Sequence, residues 1–79
     1  MDIEIRYFAA ARAAAGVSSE RVNPASLSPI LTQVTTNNPA LAHVIEQCSF
    51  LVDSVAVNDM NMPIKAGSFI DVLPRFAGG

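Results

Sequence analysis

An α+β fold, with one mixed sheet packed on a single main helix, is what this sequence predicts, and three observations predict it. Ile3, Ile5 and Tyr7 alternate with Glu4 and Arg6, the period-two pattern of a half-buried strand. Leu27, Ile30, Leu31 and Val34 fall at i, i+3, i+4 and i+7, the stripe of an amphipathic helix. Residues 50–57 and 69–73 are rich in β-branched and aromatic side chains, which suit strands. A chain of 79 residues makes one domain, burying only about 60–65% of its unfolded surface. With 51% hydrophobic residues it can form a small core without covalent staples.

The elements follow in order. Residues 2–8 read as the first strand, with Phe8 adding an apolar residue to its opposite face. Next comes the alanine-rich stretch from Ala9 to Ala15. Alanine is the best helix former, and Gly16 stands where a left-handed C-terminal cap belongs, so a short helix is expected. Residues 18–22 are a polar strand that can pair with the first. Asn23-Pro24-Ala25 is a turn. The main helix begins at a cap on Ser26, with Pro29 in the first turn, or on Ser28, with Pro29 at N1. Both fit, because first-turn amides lack intrahelical partners. Asn37-Asn38-Pro39 stops it, and Leu41, Val44, Ile45 and Cys48 repeat the helical spacing over residues 40–48. His43 falls off that stripe and is expected to face solvent. Cys48 is expected to be a buried apolar residue. Residues 50–57 read as one strand, Asn58-Asp59-Met60-Asn61 as a turn, residues 63–67 as an irregular link, and residues 69–73 as the last strand, closed by Pro74.

Two strands, a main helix and two strands describe a β-grasp, or ubiquitin-like, arrangement. Its first and last strands, the most apolar, sit side by side in the middle. A ferredoxin-like domain would need a helix between the last strands, and residues 58–67 are too polar and broken for one. The expected division is a β-grasp body over residues 1–74 and a flexible tail over 75–79.

Composition narrows the function. The net charge is −2, and the five basic residues form no run, which argues against a nucleic-acid binder. No apolar run approaches the ~20 residues needed to cross a bilayer. One cysteine excludes an internal disulfide and a cysteine-rich metal site, and it suits a reducing compartment. Acids near the N-terminus stand where a signal peptide carries bases. A cytoplasmic protein is therefore expected. With one histidine and one thiol, no Ser-His-Asp or Cys-His set can be assembled, and the side chains make a poor enzyme.

The tail is the distinctive feature. Ala77-Gly78-Gly79 follows directly on an apolar strand. Glycine lacks a Cβ, so such a tail can thread a slot closed to other residues. The α-carboxylate of Gly79 is left as the candidate reactive group. A frayed terminus is the bland alternative.

Three stretches resemble a known family. Ile3-Glu4-Ile5-Arg6-Tyr7-Phe8-Ala9, continuing through Arg12 to Gly16, is similar to the first strand and short helix of the small subunits of molybdopterin synthase, a branch of the ubiquitin-like sulfur carriers. Val55-Ala56-Val57-Asn58 is similar to that family's AVN strand and turn. Pro63-Ile64-Lys65-Ala66-Gly67, and then Leu73 to Gly79, is similar to its Pro-Leu-x-x-Gly-Asp … Pro-Pro-x-x-Gly-Gly finish. Ser68 stands where the family usually has aspartate, and Arg75 replaces its second proline. The thiamin-pathway and cysteine-forming carriers share the fold and the Gly-Gly end. The alanine-rich helix after the first strand favours the molybdopterin type.

The resemblance implies a chemistry. A carboxylate does not react with a sulfur donor, because its leaving group would be oxide. An E1-like adenylating enzyme would consume ATP to convert the Gly79 carboxylate to an acyl-adenylate. A persulfide or sulfide from a sulfurtransferase would displace AMP and leave a thiocarboxylate. The large subunit of molybdopterin synthase would then take that sulfur for the dithiolene of the molybdenum cofactor, in a heterotetramer. The chain itself would bind no cofactor or metal.

Gly78, Ala77 and Phe76 would thread the partner groove. Phe76 is an aromatic anchor there or folds back on the sheet end, and Arg75 pairs with a partner acid or sits in water. Phe8, Met60, Met62 and Leu73 are candidates for an apolar docking patch around the tail root, Phe8 and Leu73 being equally suited to the core. Arg12 matches a family position near the interface or is a solvated helix charge. Other functions for the same fold are sulfur supply to thiamin or cysteine, a ubiquitin-like modifier joined to lysine through Gly79, and a docking module whose Gly-Gly is incidental.

Overall fold

The computed structural model describes residues 2–75 of the chain. In them follow β1 (Ile3–Tyr7), α1 (Ala9–Ala15), β2 (Ser19–Val22), α2 (Leu27–Thr35), α3 (Pro39–Ile45), β3 (Cys48–Val52), β4 (Val55–Val57) and β5 (Phe69–Pro74). The strands form one sheet in the order β2-β1-β5-β3-β4. The first and last strands lie side by side at its centre, as expected. They run parallel, with Ile5 opposite Ile70 and Tyr7 opposite Val72, while the other pairs are antiparallel. This is the β-grasp arrangement.

Alternation decides what the sheet buries. Ile3, Ile5 and Tyr7 of β1 and Ile70 and Val72 of β5 point to one face and are buried. The helices cover that face. Leu27, Ile30 and Leu31 of α2, Leu41 of α3 and Ala11 of α1 complete the core, and Val34 packs at its margin.

Local chemistry explains the helix ends. Gly16, at φ 80°, caps α1 and donates its N–H to the Arg12 carbonyl, as its position implied. Of the two caps open to α2, Ser26 is the one used, although its side chain makes no capping bond. The loop after β4 supplies carbonyls instead: Leu27 N–H bonds to Met62 O at 3.0 Å and Ser28 N–H to Met60 O at 2.8 Å. Asn38 caps α3 by accepting from Leu41 N–H, and its Nδ2 donates to Ala14 O at 2.9 Å, tying α1 to α3.

Two expectations are corrected. Residues 50–57 are not one strand but most of a hairpin, because Asp53 and Ser54 take φ 49° and 71° and reverse the chain between Val52 and Val55. Positive φ at both central residues is what a type I′ turn requires. The helical reading of 40–48 overruns: α3 stops at Ile45 and Cys48 opens β3. Cys48 is nevertheless buried and His43 is exposed. Among the described residues, no helix is long and apolar enough to cross a membrane, and no group of three His, Cys, Asp or Glu side chains could hold a metal ion.

Candidate functional site at the tail root

Phe76, Ala77, Gly78 and Gly79 lie outside the described residues, so the structure speaks to the root from which they continue. β5 carries the chain to that root between two neighbours. On the β1 side, the last bond among the described residues is Phe8 N–H to Val72 O at 3.2 Å. On the β3 side, Pro74 lies opposite Cys48, and Arg75 N–H bonds to Gln47 O at 3.0 Å. The strand is therefore held on both sides to Val72, and on the β3 side alone as far as Arg75.

Phe8 turns the chain sharply out of β1. It is the N-cap of α1 with extended backbone, and Ala9 follows at φ 50°, a left-handed conformation uncommon for alanine. The turn sends α1 toward the core, where Ala11 is buried, and leaves Phe8 38% exposed. Phe8 and the exposed Arg12 line one open pocket of about 330 Å³ with Arg6, Tyr7, Ser18 and Ser19. Tyr7 is buried, and its hydroxyl donates to Glu20 at 2.6 Å. Burial, reinforced by that bond, pushes the Tyr7 hydroxyl far above its ordinary pKa.

The face of the sheet away from the helices carries a feature not anticipated from the sequence. Arg6 grips Asp71 with two bonds, Nε to Oδ1 at 2.6 Å and Nη2 to Oδ2 at 3.0 Å. Its guanidinium also lies 4.4 Å from the centre of the Phe69 ring. The bond to Asp71 raises the Arg6 pKa above its ordinary value. The Asp71 side chain is only 10% exposed, against 41% for Arg6. That asymmetry sets an expectation. Arg6→Ala strands a carboxylate that water hardly reaches, whereas Asp71→Ala leaves a guanidinium that can hydrate. Thermal melts should show Arg6→Ala as the more damaging change, and the pair Arg6→Leu/Asp71→Leu as recovering most of the loss. Equal losses from the two single changes would contradict this reading.

Cys48 sits one strand from the root. Its thiol contacts Val44 O at 3.2 Å, and burial pushes its pKa up. A raised pKa means less thiolate at any given pH, and thiolate is the reactive form. Iodoacetamide at pH 7 should leave Cys48 untouched in the native protein and modify it once unfolded, as read by intact mass. Rapid native modification would mean that the α3–β3 junction opens.

The structure brings together only some of the candidate residues. Phe8 and Arg12 share a pocket formed by β1, the start of α1 and the residues entering β2, with no lining residue from β5. Leu73 lies half-buried on the sheet face away from the helices, opposite Ser49, and Arg75 is exposed at the root. Met60, 40% exposed, lines a separate groove between α2, α3 and β3 with Leu31, Ile45, Cys48 and Phe50. Met62 lies near the opposite end of β5, beside Val52, Val55 and Ser68. The two methionines thus line different pockets.

Known proteins resemble the chain over its whole length. The small archaeal modifier protein 1 of Methanosarcina acetivorans superposes with a TM-score of 0.85 at 21% identity, over 99% of this chain and 96% of that one. A complex of subunits 1 and 2 of the molybdopterin-converting factor from Helicobacter pylori contains a chain that superposes with a TM-score of 0.75 at 22% identity, over 100% of both chains. Likeness at these identities establishes the β-grasp fold. In sequence, the molybdopterin synthase sulfur carrier subunit of Chlamydomonas reinhardtii is 29% identical over 83 aligned residues, spanning 100% of both proteins. The ThiS family model matches residues 5–79, from β1 through both terminal glycines, and the chain belongs to that family.

Proposed function

We propose that this chain is a sulfur carrier and serves as the small subunit of molybdopterin synthase. The observation that carries the reading is the family match running through Gly78 and Gly79, on a body whose central strand delivers the tail at an exposed root. The molybdopterin synthase sulfur carrier subunit of Chlamydomonas reinhardtii, alike over its full length, favours this pathway over the thiamin and cysteine ones.

The Gly79 carboxylate attacks the α-phosphorus of ATP on an E1-like enzyme and releases pyrophosphate. The terminal sulfur of a sulfurtransferase-derived persulfide then displaces AMP from the acyl carbon, and a second thiol on the activating enzyme cleaves the resulting acyl disulfide, ending as an enzyme disulfide and leaving a thiocarboxylate. In the large subunit, that sulfur passes to the pterin precursor, and water restores the carboxylate. The Helicobacter pylori complex of subunits 1 and 2 supports pairing with such a large subunit. The chain contributes no acid, base or metal to these steps, and the cytoplasm is where they take place.

The test is intact mass after incubation with ATP, a sulfur source and the cognate activating enzyme. The expected result is exchange of one oxygen for one sulfur, lost when Gly79 is deleted. Because Cys48 is buried, native alkylation of the loaded protein then reports the thiocarboxylate alone. No exchange, with the enzyme active on another carrier, would overturn the reading. Lysine adducts on other proteins would shift it to a modifier.

A further inference from the structure

Charge is unevenly spread along the chain, and its acidic part surrounds a groove that sulfur transfer does not use. Between Arg21 and Lys65 the sequence contains no lysine or arginine, while it holds Glu46, Asp53 and Asp59. That stretch folds as α2, α3, the β3–β4 hairpin and the loop after it. Where α2, α3 and β3 meet, they leave an open groove of about 330 Å³. Leu31, Ile45, Cys48, Phe50 and Met60 line it with apolar surface, and Glu46 is the charged group among the described residues that form it. Arg75, whose N–H bonds to Gln47 O, does not line the groove.

The groove is held in shape. Leu31, Cys48 and Phe50 belong to the buried core and make its floor, so packing sets their positions. Met60 forms an exposed wall, yet its backbone is fixed. Its carbonyl accepts from Ser28 N–H at 2.8 Å, and Met62 N–H bonds back to Asp59 O at 3.1 Å. The Asp59 carboxylate accepts from Asn61 N–H at 2.9 Å, which keeps it in the turn that carries Met60.

We propose that this groove docks a basic amphipathic helix of a partner protein, one that presents apolar side chains to Leu31, Ile45, Phe50 and Met60 and flanks them with lysine or arginine. The inference goes beyond the carrier reading and does not rest on it. Two features choose the occupant. The lining is apolar between two helices, so affinity comes from burying apolar side chains, in the manner of a helix laid in a groove. Methionine, with its flexible side chain, adapts to such a ligand. The exposed carboxylates of Glu46 and Asp59, in a stretch without lysine or arginine, then favour a cationic rim on the partner over an anionic one. An acidic segment or an anionic lipid surface would meet like charge. The groove shares no described residue with the pocket of Phe8 and Arg12, so filling one does not fill the other.

The probe is a synthetic amphipathic helix of leucine and lysine, titrated into the isotope-labelled full chain and followed by amide chemical shifts. Binding should saturate, with shifts centred on α2, α3 and Met60 and the amides of Phe8 and Arg12 unmoved. The same peptide with glutamate in place of lysine should bind at least about tenfold more weakly. Met60→Ser removes apolar area from the exposed wall and should raise Kd about fivefold, in dilute buffer and in high salt alike. Glu46→Gln should raise Kd about threefold in dilute buffer and leave it unchanged in about 1 M salt, where exposed charges are screened. Both residues are exposed, so thermal melts of both variants should match the parent. No saturable binding, shifts spread over the whole surface, equal affinity for the two peptides, or indifference to both substitutions would overturn the proposal and leave the carrier reading intact.

Discussion

Gly78→Val should melt like the parent protein and yet load sulfur at least about 100-fold more slowly, the scale on which misplacing a reacting group is felt. The two halves of this expectation have different physical origins. The buried residues of β5 end at Val72, and among the described residues the last backbone bond at the root is that of Arg75 to Gln47. Residue 78 lies three positions beyond that bond, so a change there leaves the core and the bonds among the described residues intact. In the proposed reaction, by contrast, the tail must pass along a partner surface and present the Gly79 carboxylate in line with a phosphorus atom. Valine adds a branched side chain where glycine has none and narrows the accessible backbone. Intact-mass time courses alongside a thermal melt check both halves. Loading at the parent rate would show that the tail is not threaded through a close-fitting slot.

The sequence made most of the architecture legible because the strongest signals were periodic. The alternation of Ile3, Ile5 and Tyr7 and the stripe of Leu27, Ile30 and Leu31 identify the sides of β1 and α2 that are buried. The hairpin was hidden for a local reason. Val52-Asp53-Ser54-Val55 carries neither the Asn-Gly nor the Asp-Gly that usually marks a two-residue turn, so eight residues of high β propensity read as one strand. Asp53 compensates by accepting from Phe69 N–H at 3.1 Å and donating its own N–H to Phe69 O at 3.0 Å. Those contacts span the fold and leave no local trace. The Arg6–Asp71 pair escaped for a related reason. The two residues are 65 positions apart, and only the parallel register of β1 and β5, with Arg6 opposite Asp71, brings them together. Adjacency of the first and last strands was readable from their apolar character, but their register was not. Arg12 was singled out by the family resemblance and Phe8 by its place in an apolar patch, and nothing in the sequence placed the two in one pocket. Met60 and Met62 are two residues apart in sequence, yet they line different pockets.

Ile70→Ala should cost about 3 kcal/mol of stability, through lost transfer energy and the cavity left behind. Ile70 is fully buried in the central strand, opposite Ile5 on one side and Val52 on the other, so relaxation from either neighbour would disturb a ladder. For 79 residues a total of roughly 4–12 kcal/mol is typical, so one side chain carries a quarter or more of it. The functional consequence differs from that of Gly78→Val. The substitution leaves the tail, its root bonds and the Phe8 pocket unaltered, so the folded fraction should load at the parent rate. Near 25 °C the variant should remain mostly folded and close to fully active, and its activity should then fall along its own melting curve. Denaturant melts give the stability change, and loading rates at several temperatures test whether activity follows the folded population. A variant already slow at a temperature where it is fully folded would mean that the core of β5 contributes to presenting the tail as well as to holding the sheet.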